Sequence, residues 1–167
     1  MKSEFYGTKR VKAMPMTRLE YNQYRGWTLP ADENGDDAGY LVEYIDGGKP
    51  NHRDHTGYIS WSPKEQFDRA YQAIGSMDFG HAIVALKAGH RVARAGWNGK
   101  GMFLFLVNGS TFKVNRPPLL GIYEEGTEIN YHAHIDMKTA QGYVVPWLAS
   151  QADMLADDWT IVEGAAA

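Results

Sequence analysis

The chain has 0 Cys in 167 residues, so a disulfide framework, a Cys-ligated zinc or iron-sulfur centre and a thiol nucleophile are all excluded. A reducing compartment fits that composition. A basic excess is missing too: Lys plus Arg number 17 against 20 Asp plus Glu, for a formal net charge of -3. A protein that coats duplex nucleic acid carries the opposite balance. No apolar run approaches the roughly eighteen residues of a membrane span, and MKSEFYGTKRVK at the N-terminus lacks the apolar stretch of a signal peptide. A soluble protein of the cytoplasm, with no membrane partner, is therefore expected. Also absent are a Gly-x-x-x-x-Gly-Lys-Ser/Thr loop and a Gly-x-Ser-x-Gly elbow, which removes two common nucleotide-hydrolase and esterase signatures.

What is present suffices for a packed core, with 44% hydrophobic and 13% aromatic residues. Two modules are expected, 1–75 and 76–167, divided near Ile74-Gly75-Ser76. In the first, KRVKAMPM reads as extended, and Thr17-Arg18-Leu19-Glu20 is a capping box that opens a short helix ending by Gly26. GYLVEYID and GYISWS alternate as strands and pair most simply as an antiparallel hairpin. Ser62 as N-cap, Pro63 at the first helical position and a capping Glu65 predict a helix carrying Phe67, Ala70, Tyr71 and Ile74 on one face.

In the second module Asp78 is an N-cap for a helix whose inner face is Phe79, Ala82, Ile83 and Leu86, closed at Gly89. RVARAGWNGKGMFLFLVNG reads as strand, glycine-punctuated loop and apolar strand. Two further strands flank Ala140-Gln141-Gly142, Ser150 and Asp153 cap a short helix through Asp157, and Trp159 to Val162 closes the chain as a strand. Helices and antiparallel strands without βαβ regularity make the class α+β. The terminal AAA is the one low-complexity segment.

Three constellations could carry chemistry. Strand alternation through Tyr131-His132-Ala133-His134-Ile135-Asp136 would put His132, His134 and Asp136 on one face, where two imidazoles and a carboxylate suit a divalent metal. The alternative is a set of hydrogen-bonded histidines on a half-buried sheet. Asn51-His52-Arg53-Asp54-His55 lies in a polar turn, where ordinary solvated histidines are the default. From Arg91 to Met102, Arg91 and Arg94 offer forks for phosphate, Trp97 a stacking face and Asn98 an amide for a base edge or ribose hydroxyl. Gly96, Gly99 and Gly101 would let backbone approach a ligand. A twisted loop with Trp97 covering the core explains the same residues equally well.

MDFGHAIVALKAGHRVARAGWNGKGMFLFLV followed by HIDMKTAQGYVVPWLASQADMLADDWTIVE resembles the second Thoeris anti-defence family of phages, over residues 76–163. The matching blocks are Gly96-Trp97-Asn98, His134-Ile135-Asp136-Met137 and Ser150 to Asp153. The resemblance implies a non-enzymatic, cofactor-free sponge that binds cyclic ADP-ribose isomers made by TIR enzymes, and in some members cyclic dinucleotides of CBASS immunity. It further implies a homotetramer with pockets between subunits, acting in the infected host's cytoplasm. The binding residues so implied are Arg91, Arg94, Trp97, Asn98, His134, Asp136, Met137 and Asp153. A metal-dependent nucleotide-cleaving enzyme using His132, His134 and Asp136 is the competing expectation. The chain departs from short family members by its first module, which resembles a small domain of other phage proteins, and by the inserted NRPPLLGIYEEGTEINY.

Overall fold

The computed structural model describes residues 3–5 and 7–163, so the terminal alanines lie outside the described residues. The chain divides into two compact units, Met1–Gln72 and Ala73–Ala167. Each combines helices with an antiparallel sheet, which makes the protein α+β.

In the first unit, β1 (Val11–Pro15), β2 (Gly39–Tyr44) and β3 (Tyr58–Pro63) form a three-stranded sheet in that order. Helix α1 (Arg18–Arg25) starts at the expected box: Thr17 Oγ1 accepts from Glu20 N at 3.2 Å, and Glu20 Oε2 accepts from Thr17 N at 2.7 Å. Gly26, at φ 68°, then turns the chain out of the helix in a conformation that favours glycine. Because side chains alternate across a strand, Leu41, Glu43, Ile59 and Trp61 share one sheet face. Tyr21 of α1 and Met16 close a small core on it, with Leu41, Ile59 and Trp61.

Helix α2 (Lys64–Ala70) departs from the sequence expectation at both ends. Ser62 belongs to β3, and no side chain caps the helix. Tyr71 is already extended at φ -127° and ψ 141°, so the helix stops before Ile74. An aromatic stack lies at this end. Phe67 lies 4.2 Å from the ring of Tyr40, and Tyr71 lies 4.8 Å from Phe67, both near-parallel. Phe67 and Tyr71 stand four residues apart, the spacing of neighbours on one helix face, and Tyr40 of β2 extends the stack across to the sheet.

The second unit begins with α3 (Phe79–Lys87), whose N-cap Asp78 accepts from His81 N at 2.9 Å. Such a cap contributes about 1 kcal/mol. Beyond it come β4 (Arg91–Arg94), β5 (Phe103–Val107), β6 (Ser110–Lys113), β7 (Glu128–Tyr131), β8 (His134–Lys138), β9 (Val144–Pro146), α4 (Gln151–Met154) and β10 (Trp159–Val162). Five of these strands pair antiparallel in the order β10-β4-β5-β8-β9. Ala82, Ala85 and Leu86 of α3 pack with Met77 onto Val92, Leu104 and fully buried Trp159. Removing such large apolar side chains from water is the main stabilising term here.

Strands β6 and β7 pair only with each other, β6 just before the inserted stretch and β7 forming its last four residues, a hairpin the sequence reading did not foresee. Helix α4 has the predicted Ser150–Asp153 capping box but ends at Met154 rather than Asp157. Asp158 and Trp159 are needed elsewhere: Trp159 Nε1 donates to Asp153 O at 3.0 Å, and Asp158 pairs with Arg94.

Candidate functional site

The register of the five-stranded sheet sorts the candidate residues onto two faces. Val92 stands opposite Leu104 and Ile161, and Leu104 opposite Met137. These side chains therefore point together at α3, and Arg94 and Met137 point with them. Residues one position away point outward: Arg91, Phe103, Phe105, His134, Asp136 and Lys138. Of the eight binding candidates, the sheet thus brings Arg91, His134 and Asp136 together on the outer face. Arg94, Trp97, Met137 and Asp153 gather on the other side of the sheet and around its end, and Asn98 is exposed in the loop after β4.

On the inner side, the guanidinium of Arg94 is engaged by the protein. Its Nε donates to Asp158 Oδ1 at 2.7 Å, and Nη1 donates to Asp153 Oδ1 at 2.9 Å and to Ala152 O at 3.2 Å. Trp97 Nε1 donates to the same Asp153 Oδ1 at 3.2 Å, and the Trp97 ring meets Trp159 edge-on at 5.6 Å. Hydrogen bonds that Arg94 donates to Asp158, then to Asp153, raise its affinity for its proton. Asp158 is held below the ordinary carboxylate range, chiefly by Arg94 and then by Gly96 N. For Asp153, burial pushes upward, but bonds from Ser150, Arg94 and Trp97 outweigh it and its pKa is lowered. These are charge-assisted bonds in a partly buried setting, stronger than exposed pairs.

The glycines of the loop serve this same closure. Gly96 N donates to Asp158 Oδ2 at 2.7 Å, and a Cβ on Gly96 would sit 2.8 Å from that oxygen. A Cβ on Gly99 would run into the Met102 sulfur and lie 3.0 Å from Ala140. The close backbone approach that these glycines allow is made to the protein's own side chains.

The outer face has a different character. The Arg91 guanidinium lies 4.8 Å from the centroid of the Phe103 ring, and Lys138 Nζ lies 5.7 Å from it while donating to Gly101 O at 3.1 Å. Phe105, 6.1 Å from Phe103, stands directly across from Asp136. His134 Nδ1 donates to its neighbour His132 O at 3.0 Å, so the neutral ring keeps no proton at Nε2 for Asp136, 3.6 Å away. Asp136 Oδ1 is buried without a hydrogen-bond partner. An unpaired buried carboxylate oxygen costs free energy and favours any arriving donor.

His132 does not join this face. Strand β8 begins at His134, and His132 lies in the connection from β7 with its carbonyl already used. The alternation that was to align His132, His134 and Asp136 never reaches the first of them. Among the described residues, no three His, Asp or Glu side chains are placed to hold a metal ion.

The comparison with known proteins falls on this unit. Residues 77–162 match the family described as the Thoeris anti-defense 2-like domain. The chain belongs to that family. A protein of Bacillus phage SP01 named "Thoeris anti-defense 2" is 42% identical over 86 residues, which cover 52% of this chain and 94% of the relative. The Thoeris anti-defense 2-like segment contains α3, α4 and the whole five-stranded sheet, and with them both faces described above.

Three residues that shape these faces escaped the sequence reading: Phe103, Lys138 and Asp158. Strict alternation in MFLFLV, with Phe103 and Phe105 on one side and Leu104 and Leu106 on the other, carried the signal for the first. The same alternation from His134 through Asp136 leads to Lys138. Nothing local marks Asp158, which meets Arg94 across 64 positions of chain.

Proposed function

We propose that this Thoeris anti-defense 2-like protein is a phage anti-defence sponge. It binds and sequesters cyclic ADP-ribose isomers made by TIR enzymes, glycocyclic ADP-ribose foremost, in the host cytoplasm, and so keeps the Thoeris effector inactive. Its reach extends to cyclic dinucleotides of CBASS immunity. No bond of the signal is broken in this scheme, and no metal takes part.

The observation that carries the reading is the outer sheet face within the family segment, where Arg91 and Lys138 flank the ring of Phe103. A cyclic ADP-ribose carries two phosphates and an adenine. Two cations suit the phosphates, an aromatic ring suits the base, and Asp136 accepts from a ribose hydroxyl with His134 beside it. Arg94, Trp97, Met137 and Asp153 support the sheet from its inner side, while exposed Asn98 serves the rim.

Nanomolar capture needs about 12 kcal/mol of net binding free energy. An open sheet face excludes too little water to reach that alone, so enclosure by a second subunit belongs to the proposal. The sheet ends in β9, in and next to which Tyr143, Val144 and Leu148 are exposed. Association through this edge into a homotetramer would cover them.

Calorimetric titration of the full chain and of Arg91→Ala with cyclic ADP-ribose isomers and a cyclic dinucleotide tests the site. Binding by the parent and weakening of about tenfold in the variant are expected, since one cationic contact contributes on the order of 1 to 2 kcal/mol. Equal affinity in both proteins would remove the outer face from the account.

A further inference from the structure

The first unit contains a hydrogen-bonded relay that the anti-defence role does not use. We propose that Tyr24 is a nucleophilic phenol, a site of covalent modification by activated acyl groups, with His55 as its base. His55 Nδ1 donates to Glu43 Oε2 at 3.1 Å, which leaves Nε2 as an acceptor, and Tyr24 Oη lies 2.9 Å from that nitrogen. The order carboxylate, imidazole, hydroxyl is the one by which a positioned imidazole activates an oxygen nucleophile.

The relay is held from every side. Glu43 Oε1 accepts from Thr56 N, Thr56 Oγ1 and Gly57 N at 3.0, 3.2 and 3.0 Å, so the carboxylate cannot swing away from His55. His52 stacks on the Tyr24 ring at 4.6 Å and fixes its plane. Meanwhile the phenol itself stays accessible, with Tyr24 37% exposed. A floppy surface tyrosine has none of these constraints; here base, orienting carboxylate and nucleophile are already in place.

The chemistry of the surroundings selects the electrophile. The hydrogen bonds, ion pair and ring contacts of Tyr24 and His55 run to each other, to Glu43 and to His52. An anionic phosphoryl donor would approach a relay whose fixed charge is the Glu43 carboxylate. An uncharged acyl donor meets no such barrier. In the step, the Tyr24 O–H bond breaks and its proton passes to His55 Nε2. The phenolic oxygen bonds to the acyl carbon, and the leaving group departs and takes up the proton, giving an aryl ester. No oxidant or reductant is involved.

The full chain is treated with limiting N-acetylimidazole, whose leaving group is imidazole, and tyrosine acetylation is mapped by mass spectrometry. Tyr143 is 71% exposed and Tyr21 only 4%, which supplies a control in each direction. Tyr24 is expected to be acetylated ahead of Tyr143, with Tyr21 untouched. In His55→Gln, which keeps an acceptor but no base, Tyr24 acetylation slows by about a hundredfold, the low end of a positioned base's contribution, while Tyr143 is unchanged. Acetylation of Tyr143 before Tyr24 in the parent protein overturns the proposal without recourse to any variant. So does an unaltered Tyr24 rate in a folded His55→Gln protein, or labelling by phosphoramidate in preference to the acyl reagent.

Discussion

Trp97 and Asp153 are joined by a 3.2 Å hydrogen bond from the indole nitrogen to Oδ1, and the same oxygen receives Arg94. One carboxylate on the last short helix thus fastens the glycine-rich loop and strand β4 together. Arg94, Trp97 and Asp153, three of the candidate ligand contacts, are thus bonded to one another in the fold.

Replacement of Trp97 by alanine should therefore act first on stability. Trp97 packs against Trp159 and the buried cluster around it, so truncation leaves a cavity beside the core. A loss of about 3 kcal/mol is expected, the low end for aromatic truncations in cores. Urea denaturation measures it; a change below about 1 kcal/mol, within the range of ordinary surface substitutions, would mean that the ring has no structural role.

Arg94 and Arg91 should separate cleanly. Arg94→Ala strands Asp153 and Asp158 without their shared partner, and should cost about 2 to 3 kcal/mol in the same urea experiment. Arg91→Ala removes a cation from the Phe103 ring and should cost less than about 1 kcal/mol of stability. A reversed order would place the structural arginine on the wrong face.

Acid should loosen the first unit through Glu43. Hydrogen bonds from His55, then from the backbone of Gly57 and Thr56, lower its pKa from 4.5 to about 2. A group lowered in the folded state contributes stability that is fully present above its unfolded value and disappears as pH falls through the folded one. The contribution of Glu43 should thus be intact above about pH 4.5 and lost toward pH 2. Melting curves of the parent and Glu43→Gln across this window should converge at the acid end. Parallel curves would show that Glu43 is not the titrating group.

Assembly through the β9 edge should be sensitive to charge. Leu148 is 91% exposed, so Leu148→Glu changes no intramolecular packing. Light scattering should show a tetramer for the parent and smaller species for the variant, both with the same melting behaviour as monomer units. A parent protein that is monomeric at micromolar concentration removes the enclosed pocket.

Much of the fold was legible because its signals are local. The capping box of Thr17 and Glu20, the cap at Asp78 and the turn at Ala140 to Gly142 each depend on residues three or four apart. The early ends of α2 and α4 were not legible. Nothing local marks Tyr71 as the point where the chain becomes extended, and Asp158, just beyond α4, meets Arg94 across 64 positions of chain. The arrangement of the site was less legible: Arg91, Arg94, Trp97 and Asn98 are close in sequence, but strand alternation sends Arg91 to one face of the sheet and Arg94 to the other. The β6–β7 hairpin was missed because its strands are short and largely exposed, and alternation gives little signal where neither face is buried.

The most direct measurement of the sponge account mixes the full chain with a cyclic ADP-ribose isomer in slight deficit, removes unbound nucleotide, heats the protein and identifies what is released. The account predicts depletion of the free signal before heating and recovery of the same intact molecule after it. Release of a linear or cleaved nucleotide would make the protein an enzyme, and failure to deplete the signal would contradict binding itself.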